Sequence, residues 1–305
     1  MTSSESILSA AGRSAAPASA GDTATITASD GTAIGYRRFG AGPAVIVLHG
    51  TMSSSANHTE LALALADRHT VIVPDRRGRG MSGPWGAAYG LAAEADDLRR
   101  LVAATGATSV VGVSSGAIVA LHAALAGVPL HRVAAYEPPL FTDPRLPAAT
   151  LARFDREMAA GRVAAALTTA MRGAEMGPAL LRILPRVLVE RMTAAFMARQ
   201  EGSSPGAYLP MRELAPTLHH DLQLVVEASE VEDDLASVDA EVLLLSGTRS
   251  PRYLRAASTR LARLLPRARL VDLPGLDHAA TWDRALGGKP EMVAAELSDF
   301  LSPGR

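Results

Sequence analysis

Short apolar stretches alternate with helical patterns along most of this chain, and no other feature constrains its fold as much. Between most of the apolar stretches, residues such as Leu91, Ala95 and Leu98 recur at the three- and four-residue spacing of a helix. Strands without polar alternation are typical of a sheet that is buried on both faces. The alternation therefore predicts an α/β fold with a mostly parallel central sheet and helices on both faces. The candidate strands of this sheet are residues 44–50, 69–75, 108–114, 132–138, 241–247 and 268–275.

The N-terminal region departs from this alternation. Residues 1–21 are small and polar, with neither a basic start nor a continuous apolar run. They predict a disordered tail and not a secretory signal. A hairpin follows, with strands at Thr23–Ser29 and Ala33–Phe39 on either side of the turn-forming pair Asp30-Gly31.

Residues 140–236 depart from it as well. They contain helical patterns, for example at 151–172 and 179–199, and no convincing strand. Because this segment lies between two core strands, it predicts a helical cap inserted over one end of the sheet. The predicted domains are a disordered tail at 1–21, a core domain at 22–139 and 237–305, and a helical cap at 140–236.

Residues 112–116 form the pattern G-x-S-x-G, which centres on Ser114. The pattern follows the apolar strand SVVGV and precedes the apolar helical stretch AIVALHAALAG, which is the setting of a nucleophile elbow. The two glycines let neighbouring backbones approach the serine, and the helix N-terminus behind it favours developing negative charge. These features predict Ser114 as a nucleophile. The backbone N–H of Ser115, and not its hydroxyl, is the group expected to act beside it.

His278 lies in the stretch LPGLDHAAT, directly after the last candidate strand. That position places it at the carboxyl edge of the sheet, where open α/β sheets keep their chemistry. It also comes last in the chain, as the order serine, acid, histidine requires. His278 is therefore the predicted partner of Ser114. His219 and His220 fall in the cap without HExxH or a cysteine partner, so no metal site is predicted.

With these residues in place, the chain resembles the α/β-hydrolase fold superfamily over about residues 22–303, and within it the small capped bacterial serine hydrolases of the esterase type. By this resemblance, the turn after His49 places the backbone N–H of Thr51 beside that of Ser115 as an oxyanion hole, with His49 as a structural residue. The resemblance also implies hydrolysis of an ester or related acyl bond through an acyl-enzyme, with no cofactor. It is carried by VLHG at 47–50, DRRGRGMS at 75–82, GVSSG at 112–116, YEPP at 136–139 and GLDHAA at 275–280.

The acid of the triad does not occupy its most common place in such relatives, which is the turn after the strand that here reads EVLLLSG. The matching residue is Ser250, which cannot hold a negative charge. Asp272 and Asp277, the acids between that strand and His278, have no obvious reach. Glu137 directly follows the strand RVAAY, and some relatives, including certain haloalkane dehalogenases, place their acid there. Glu137 is therefore the predicted acid, with Ser250 free to hydrogen-bond it; an ion pair of Glu137 with a cap arginine is the alternative.

A second glycine pattern invites a different interpretation. Residues 78–83 fit G-x-G-x-x-G after a strand, as in dinucleotide-binding folds, but Pro-Trp-Gly follows where that motif opens a helix. Nucleotide binding is therefore not predicted. Arg76, Arg77 and Arg79 are expected to be surface or turn residues.

Composition excludes several other classes. The formal net charge of −1 and the lack of a basic stripe exclude a nucleic-acid partner. With no cysteine, the chain has no disulfide, thiolate metal site or cysteine nucleophile. No apolar run reaches the roughly 18 residues of a membrane span. The expected partner is a small-molecule substrate, and the expected state is a cytoplasmic monomer or homodimer.

The predicted triad leaves several reactions open. Carbon–carbon bond hydrolysis, thioester release, cyclisation and cofactor-free haloperoxidase-like activity use similar triads, and a catalytically weak ligand-binding protein is a further class. A serine at position 114 argues against haloalkane dehalogenation, which needs a carboxylate there. An aromatic content of 4% and a cap rich in Ala, Leu and Met predict an aliphatic pocket.

Overall fold

The strands predicted from the sequence form one twisted layer in the computed structural model, which describes residues 21–302 except 144, 178–180, 182 and 202–207. Within these residues the sheet has eight strands: β1 Asp22–Thr27, β2 Ala33–Phe39, β3 Ala44–Leu48, β4 Thr70–Pro74, β5 Ser109–Val113, β6 Arg132–Tyr136, β7 Glu241–Gly247 and β8 Ala268–Leu273. Their order across the sheet is β1-β2-β4-β3-β5-β6-β7-β8. The pairs β1–β2 and β2–β4 are antiparallel, and all other neighbours are parallel. The predicted α/β fold with a mostly parallel sheet is confirmed.

Helices connect the strands, and several of them come from the long segment between β6 and β7. No described residue of 140–236 is in a strand. None of the helices in the described parts of the chain combines the length and apolar character that a bilayer crossing needs. The predicted tail at 1–21 lies outside the described residues except for Gly21. The helices are α1 Thr59–Leu65, α2 Leu91–Thr105, α3 Ser115–Leu125, α4 Arg145–Ala159, α5 Val163–Gly173, α6 Arg186–Glu201, α7 Met211–Leu214, α8 Thr217–Glu230, α9 Arg252–Leu264 and α10 Pro290–Leu301.

The core lies on both faces of the sheet because alternate residues of each strand point to opposite sides. In β3, Val45 and Val47 pack with α1 and α10, whereas Ile46 and Leu48 pack with α2 and α3. All four side chains are buried, and each such burial contributes about 1.5–3 kcal/mol. The strand ends that carry the candidate site are therefore held between two apolar layers.

The segment between β6 and β7 has a small apolar core of its own. Met52, in the loop after β3, packs against this core, so the segment contacts the carboxyl edge of the sheet. A role of this segment as a cap stays a prediction. The buried members of its core are Phe154, Ala166, Leu167, Ala170, Met197, Ala215 and Leu218.

Candidate active site

Ser114 lies in a strained turn between β5 and α3. Its backbone has φ of 54° and ψ of −120°, a combination that residues with a side chain rarely adopt. A Cβ on Gly112 would lie 2.5 Å from the Cα of Ala117, and one on Gly116 would lie 2.5 Å from the carbonyl oxygen of Leu48. These neighbours are backbone atoms that cannot rotate away, so only glycine lets the strands and the helix approach this closely.

Gly116→Ala is expected to lower the free energy of unfolding by about 3 kcal/mol, because the new methyl group overlaps two backbone carbonyls. Urea unfolding measures the loss. Gly275→Ala is the matched control: Gly275 has a φ of 73° and nothing within 4 Å of its Cβ position. That variant should lose only about 1 kcal/mol, the cost of the left-handed backbone. Equal losses in the two variants would show that steric contact at Gly116 is unimportant.

The structure brings Ser114, His278 and Glu137 together. The Nε2 of His278 lies 3.1 Å from the Oγ of Ser114, and its Nδ1 lies 2.6 Å from the Oε2 of Glu137. Because a carboxylate only accepts hydrogen bonds, Nδ1–H donates to Glu137. This tautomer leaves Nε2 free to accept the hydroxyl proton of Ser114. The arrangement can therefore transfer a proton from Ser114 to His278 while Glu137 holds the imidazole in place.

Glu137 follows β6 and is fully buried, with a φ of 48°. Its Oε1 accepts the backbone N–H of Gly247 at 2.6 Å and the hydroxyl of Ser246 at 3.4 Å. Among the described residues Glu137 pairs with His278 and with no arginine, so the alternative of an ion pair with a cap arginine is not observed. The hydroxyl of Ser250 is buried without a hydrogen-bond partner among those residues. The expectation that Ser250 bonds Glu137 is wrong; the pairing of β6 with β7 places Ser246 and Gly247 there instead.

The loop that carries His278 is fixed by the residue before Glu137. The hydroxyl of Tyr136 donates to the carbonyl of Asp277 at 2.6 Å. Burial raises the pKa of Tyr136, so this hydroxyl stays protonated and keeps donating. Asp272 and the side chain of Asp277 are both exposed to solvent. The Oδ1 of Asp277 accepts the backbone N–H of Ala279 at 3.1 Å, and the contacts of the described residues include no bond from this carboxylate to the imidazole of His278.

Thr51 and Ser115, the predicted oxyanion-hole residues, are neighbours. The hydroxyl of Thr51 donates to that of Ser115 at 3.2 Å. A Cβ on Gly50 would lie 2.8 Å from the Cβ of Ser114, so the loop after β3 runs directly past Ser114. Ser115 opens α3, where the first backbone N–H groups have no acceptor within the helix. Among the described residues, the backbone N–H of Thr51 likewise has no hydrogen-bond partner.

His49 holds this loop in place. Its Nε2 accepts the backbone N–H of Arg76 at 3.0 Å, so its Nδ1–H is left to donate to the carbonyl of Gly50 at 2.9 Å. Burial, together with the charges of Arg79 and Arg76, lowers the pKa of His49 well below its usual range. A neutral imidazole whose two nitrogens bond the backbone of this loop and the backbone of the loop after β4 fits a structural residue.

Arg76, Arg77 and Arg79 lie in the turn-containing loop after β4, which agrees with one of the two positions expected from the sequence, but the alternative of a surface position is wrong. All three are at most 3% exposed. Their burial is tolerated because each guanidinium pairs with at least one carboxylate, most of them distant in sequence. The pairs are Arg76 with Glu94 and Asp221, Arg77 with Asp30 and Asp97, and Arg79 with Asp221.

A family model described as the alpha/beta hydrolase family matches residues 45–295. The chain therefore belongs to the alpha/beta hydrolase family.

Several relatives share most of the chain. An alpha/beta hydrolase from Sphaerobacter thermophilus is 33% identical with a TM-score of 0.74, and the match covers 92% of this chain and 100% of that one. The 2-(acetamidomethylene)succinate hydrolase of Mesorhizobium japonicum is 29% identical over 88% of this chain and 91% of its own length. A non-heme haloperoxidase of Rhodococcus erythropolis is 28% identical over 90% and 98%.

Other curated relatives match a shorter stretch. Over 107 residues the chain is 37% identical to uncharacterized proteins of Mycobacterium tuberculosis and Mycobacterium bovis. The match spans only 31% of the length of those proteins and 33% of this chain.

Proposed function

We propose that this protein is a serine hydrolase that cleaves an ester or related acyl bond of a small apolar substrate. The observation that carries the proposal is the hydrogen-bonded chain from Ser114 through His278 to Glu137, with distances of 3.1 and 2.6 Å. Ser114 attacks the substrate carbonyl while His278 takes its proton, and the acyl group becomes bonded to Ser114. His278 then returns the proton to the leaving group.

Deacylation uses the same residues, with water as the attacking group and Ser114 as the leaving group. His278 accepts a proton from water, the resulting hydroxide attacks the acyl carbonyl, and Ser114 regains its proton as the acid leaves. Each tetrahedral intermediate carries a negative oxygen. The backbone N–H groups of Thr51 and Ser115 bind that oxygen, an interaction that is strongest in the transition state and so accelerates the reaction.

The helices α4–α8 act in this proposal as the cap. Support comes from Met52, which lies next to Thr51 and packs against the apolar core of these helices. Ser114 is only 8% exposed, so access to it is restricted, and in this proposal the Ala- and Leu-rich helices of the cap form the wall beside it. Such a wall favours medium-chain aliphatic acyl groups over short polar ones.

Labelling with a fluorophosphonate probe tests the proposal without knowledge of the substrate. One adduct per chain is expected on the peptide that contains Ser114, because the probe reports an activated serine. Mass spectrometry of the digested protein locates the adduct. His278→Ala should abolish it, whereas Ser250→Ala, which removes a buried hydroxyl that has no partner among the described residues, should retain it. A folded protein that gives no adduct would instead support a ligand-binding role.

The similarity to a non-heme haloperoxidase over most of the chain favours one further candidate, a haloperoxidase-like activity on the same triad. Both candidates predict the adduct on Ser114. An assay for halogenation of an activated ketone, with bromide, acetate and hydrogen peroxide present, distinguishes the two candidates. Halogenation that depends on Ser114 would support the haloperoxidase-like activity.

A further inference from the structure

A buried ionic cluster joins α8 to the candidate oxyanion hole. At its centre is Asp221 of α8, whose side chain is 1% exposed. The Oδ1 of Asp221 accepts from the Nη1 of Arg76 at 2.9 Å and from the hydroxyl of Ser115 at 3.0 Å. Its Oδ2 accepts from the Nη2 of Arg79. Thus one carboxylate from the segment between β6 and β7 binds both the loop after β4 and the first residue of α3.

The hydroxyl of Ser115 has its full set of hydrogen bonds inside this cluster. It accepts from the Oγ1 of Thr51 at 3.2 Å and from the Nη1 of Arg76 at 3.0 Å, and it donates to Asp221. A hydroxyl has one donor and two acceptor positions, so none is left for a substrate. Ser115 is also fully buried. Its side chain therefore connects Thr51 to Asp221 and takes no direct part in the reaction.

The negative charge of Asp221 fixes which group donates and which accepts in these hydrogen bonds. Burial raises the pKa of Asp221, but the guanidinium groups of Arg79 and Arg76 more than offset burial and hold it below its usual range. An ionised carboxylate only accepts, so the Ser115 hydroxyl must donate to it. That hydroxyl then presents its lone pairs to Thr51 and Arg76. The order Thr51, Ser115, Asp221 is thereby fixed from donor to acceptor.

We propose that Asp221 is a positioning residue that holds the oxyanion hole through the hydroxyls of Ser115 and Thr51. This inference rests on the proposed serine hydrolase activity. The backbone N–H groups that would bind the oxyanion belong to Thr51 and Ser115, the two residues that this hydroxyl chain ties together. Because Asp221 belongs to α8, the oxyanion hole is complete only while α8 packs against the loop after β4. The segment between β6 and β7 thus contributes to catalysis through a contact that does not touch the substrate.

Steady-state hydrolysis of p-nitrophenyl butyrate by Ser115→Ala and Asp221→Asn tests the inference. Each variant should lower kcat about 10-fold with KM within about 2-fold of wild type, because misplaced donors weaken only the transition state. Ser115→Ala removes the hydroxyl but keeps the backbone N–H of residue 115. If Asp221→Asn does not fold, the kcat of Ser115→Ala alone decides the test. The double variant Thr51→Val/Ser115→Ala should have the same kcat as Thr51→Val alone, because both changes break the same series of hydrogen bonds.

Tyr89→Phe is the matched control. The hydroxyl of Tyr89 bonds Arg76 and Glu94 in the same buried cluster and touches neither Ser115 nor Thr51. This variant should lower the thermal unfolding temperature and leave kcat unchanged. Equal losses of kcat in Tyr89→Phe and Ser115→Ala would overturn the inference and indicate a purely structural cluster.

The two proposals fail in different ways. Ester turnover by the wild type that is unaffected by Ser115→Ala and Asp221→Asn would overturn the positioning role and leave the hydrolase standing. Absence of turnover and of a Ser114 adduct in the wild type would overturn the hydrolase, and the positioning role with it. A rise in KM at unchanged kcat would place the cluster in substrate binding, which also contradicts the inference.

Discussion

Ser114→Ala and His278→Ala are each expected to lower kcat for an activated ester by about 10⁶-fold. The reason lies in their contact: the Oγ of Ser114 and the Nε2 of His278 are 3.1 Å apart, and neither group acts without the other. Removal of the hydroxyl eliminates the nucleophile. Removal of the imidazole leaves a neutral hydroxyl that attacks a carbonyl poorly.

The double variant Ser114→Ala/His278→Ala is the sharper measurement. Residues that act as one unit lose their effect together, so its kcat should equal that of either single variant. A double variant whose loss is the product of the single losses would show that Ser114 and His278 act independently. His219→Ala serves as the control, because His219 is half-exposed, bonds Asp155 and lies outside the triad. Its kcat should match that of the wild type.

The elements that sequence alone predicts well are those with a local signature. The strand β5 is apolar after its first residue, Ser109, and the glycines at 112 and 116 mark the turn at Ser114 within the same few residues. His278 is recognisable because it follows the last strand, and parallel strands bring their carboxyl ends to one edge. Ser114 and His278 can therefore be placed at the carboxyl edge of the sheet without knowledge of which strands pair.

Features that depend on the register between strands are harder to predict. The turn at Ser250 attracts attention because the acid is expected after β7. In the fold, Tyr136 of β6 pairs with Leu245 of β7, so the backbone N–H of Gly247 and the hydroxyl of Ser246 face Glu137. A shift of a few residues in this pairing would present different donors. Sequence periodicity does not contain that information.

The buried arginines show the same limit over a longer range. Arg76 and Arg79 lie in a glycine-rich loop, which by itself suggests a surface turn. Their carboxylate partner Asp221 lies 145 and 142 residues further along the chain. Without knowledge that α8 meets this loop, nothing in the sequence indicates that burial of the arginines is compensated.

Glu137→Gln is expected to lower kcat about 10⁴-fold while the protein stays folded. The carboxylate accepts the backbone N–H of Gly247 and the hydroxyl of Ser246 on Oε1, and the Nδ1–H of His278 on Oε2. A glutamine amide has a single oxygen, and the backbone N–H cannot reverse its polarity. The oxygen therefore turns to Gly247, and the amide N–H₂ faces His278. The imidazole must then accept at Nδ1 and carry its proton on Nε2, so Nε2 can no longer accept the hydroxyl proton of Ser114.

Steady-state kinetics on Glu137→Gln, Ser250→Ala and Asp272→Asn decide which group is the acid. Ser250→Ala and Asp272→Asn should stay within about 2-fold of wild type, because neither residue contacts His278. Full activity of Glu137→Gln would show that Glu137 is not the acid that orients His278. A loss confined to Asp272→Asn would require the loop of His278 to turn toward the exposed end of β8. The hydrogen bond from Tyr136 to Asp277 opposes that rotation, so the geometry favours Glu137 as the group that orients the imidazole.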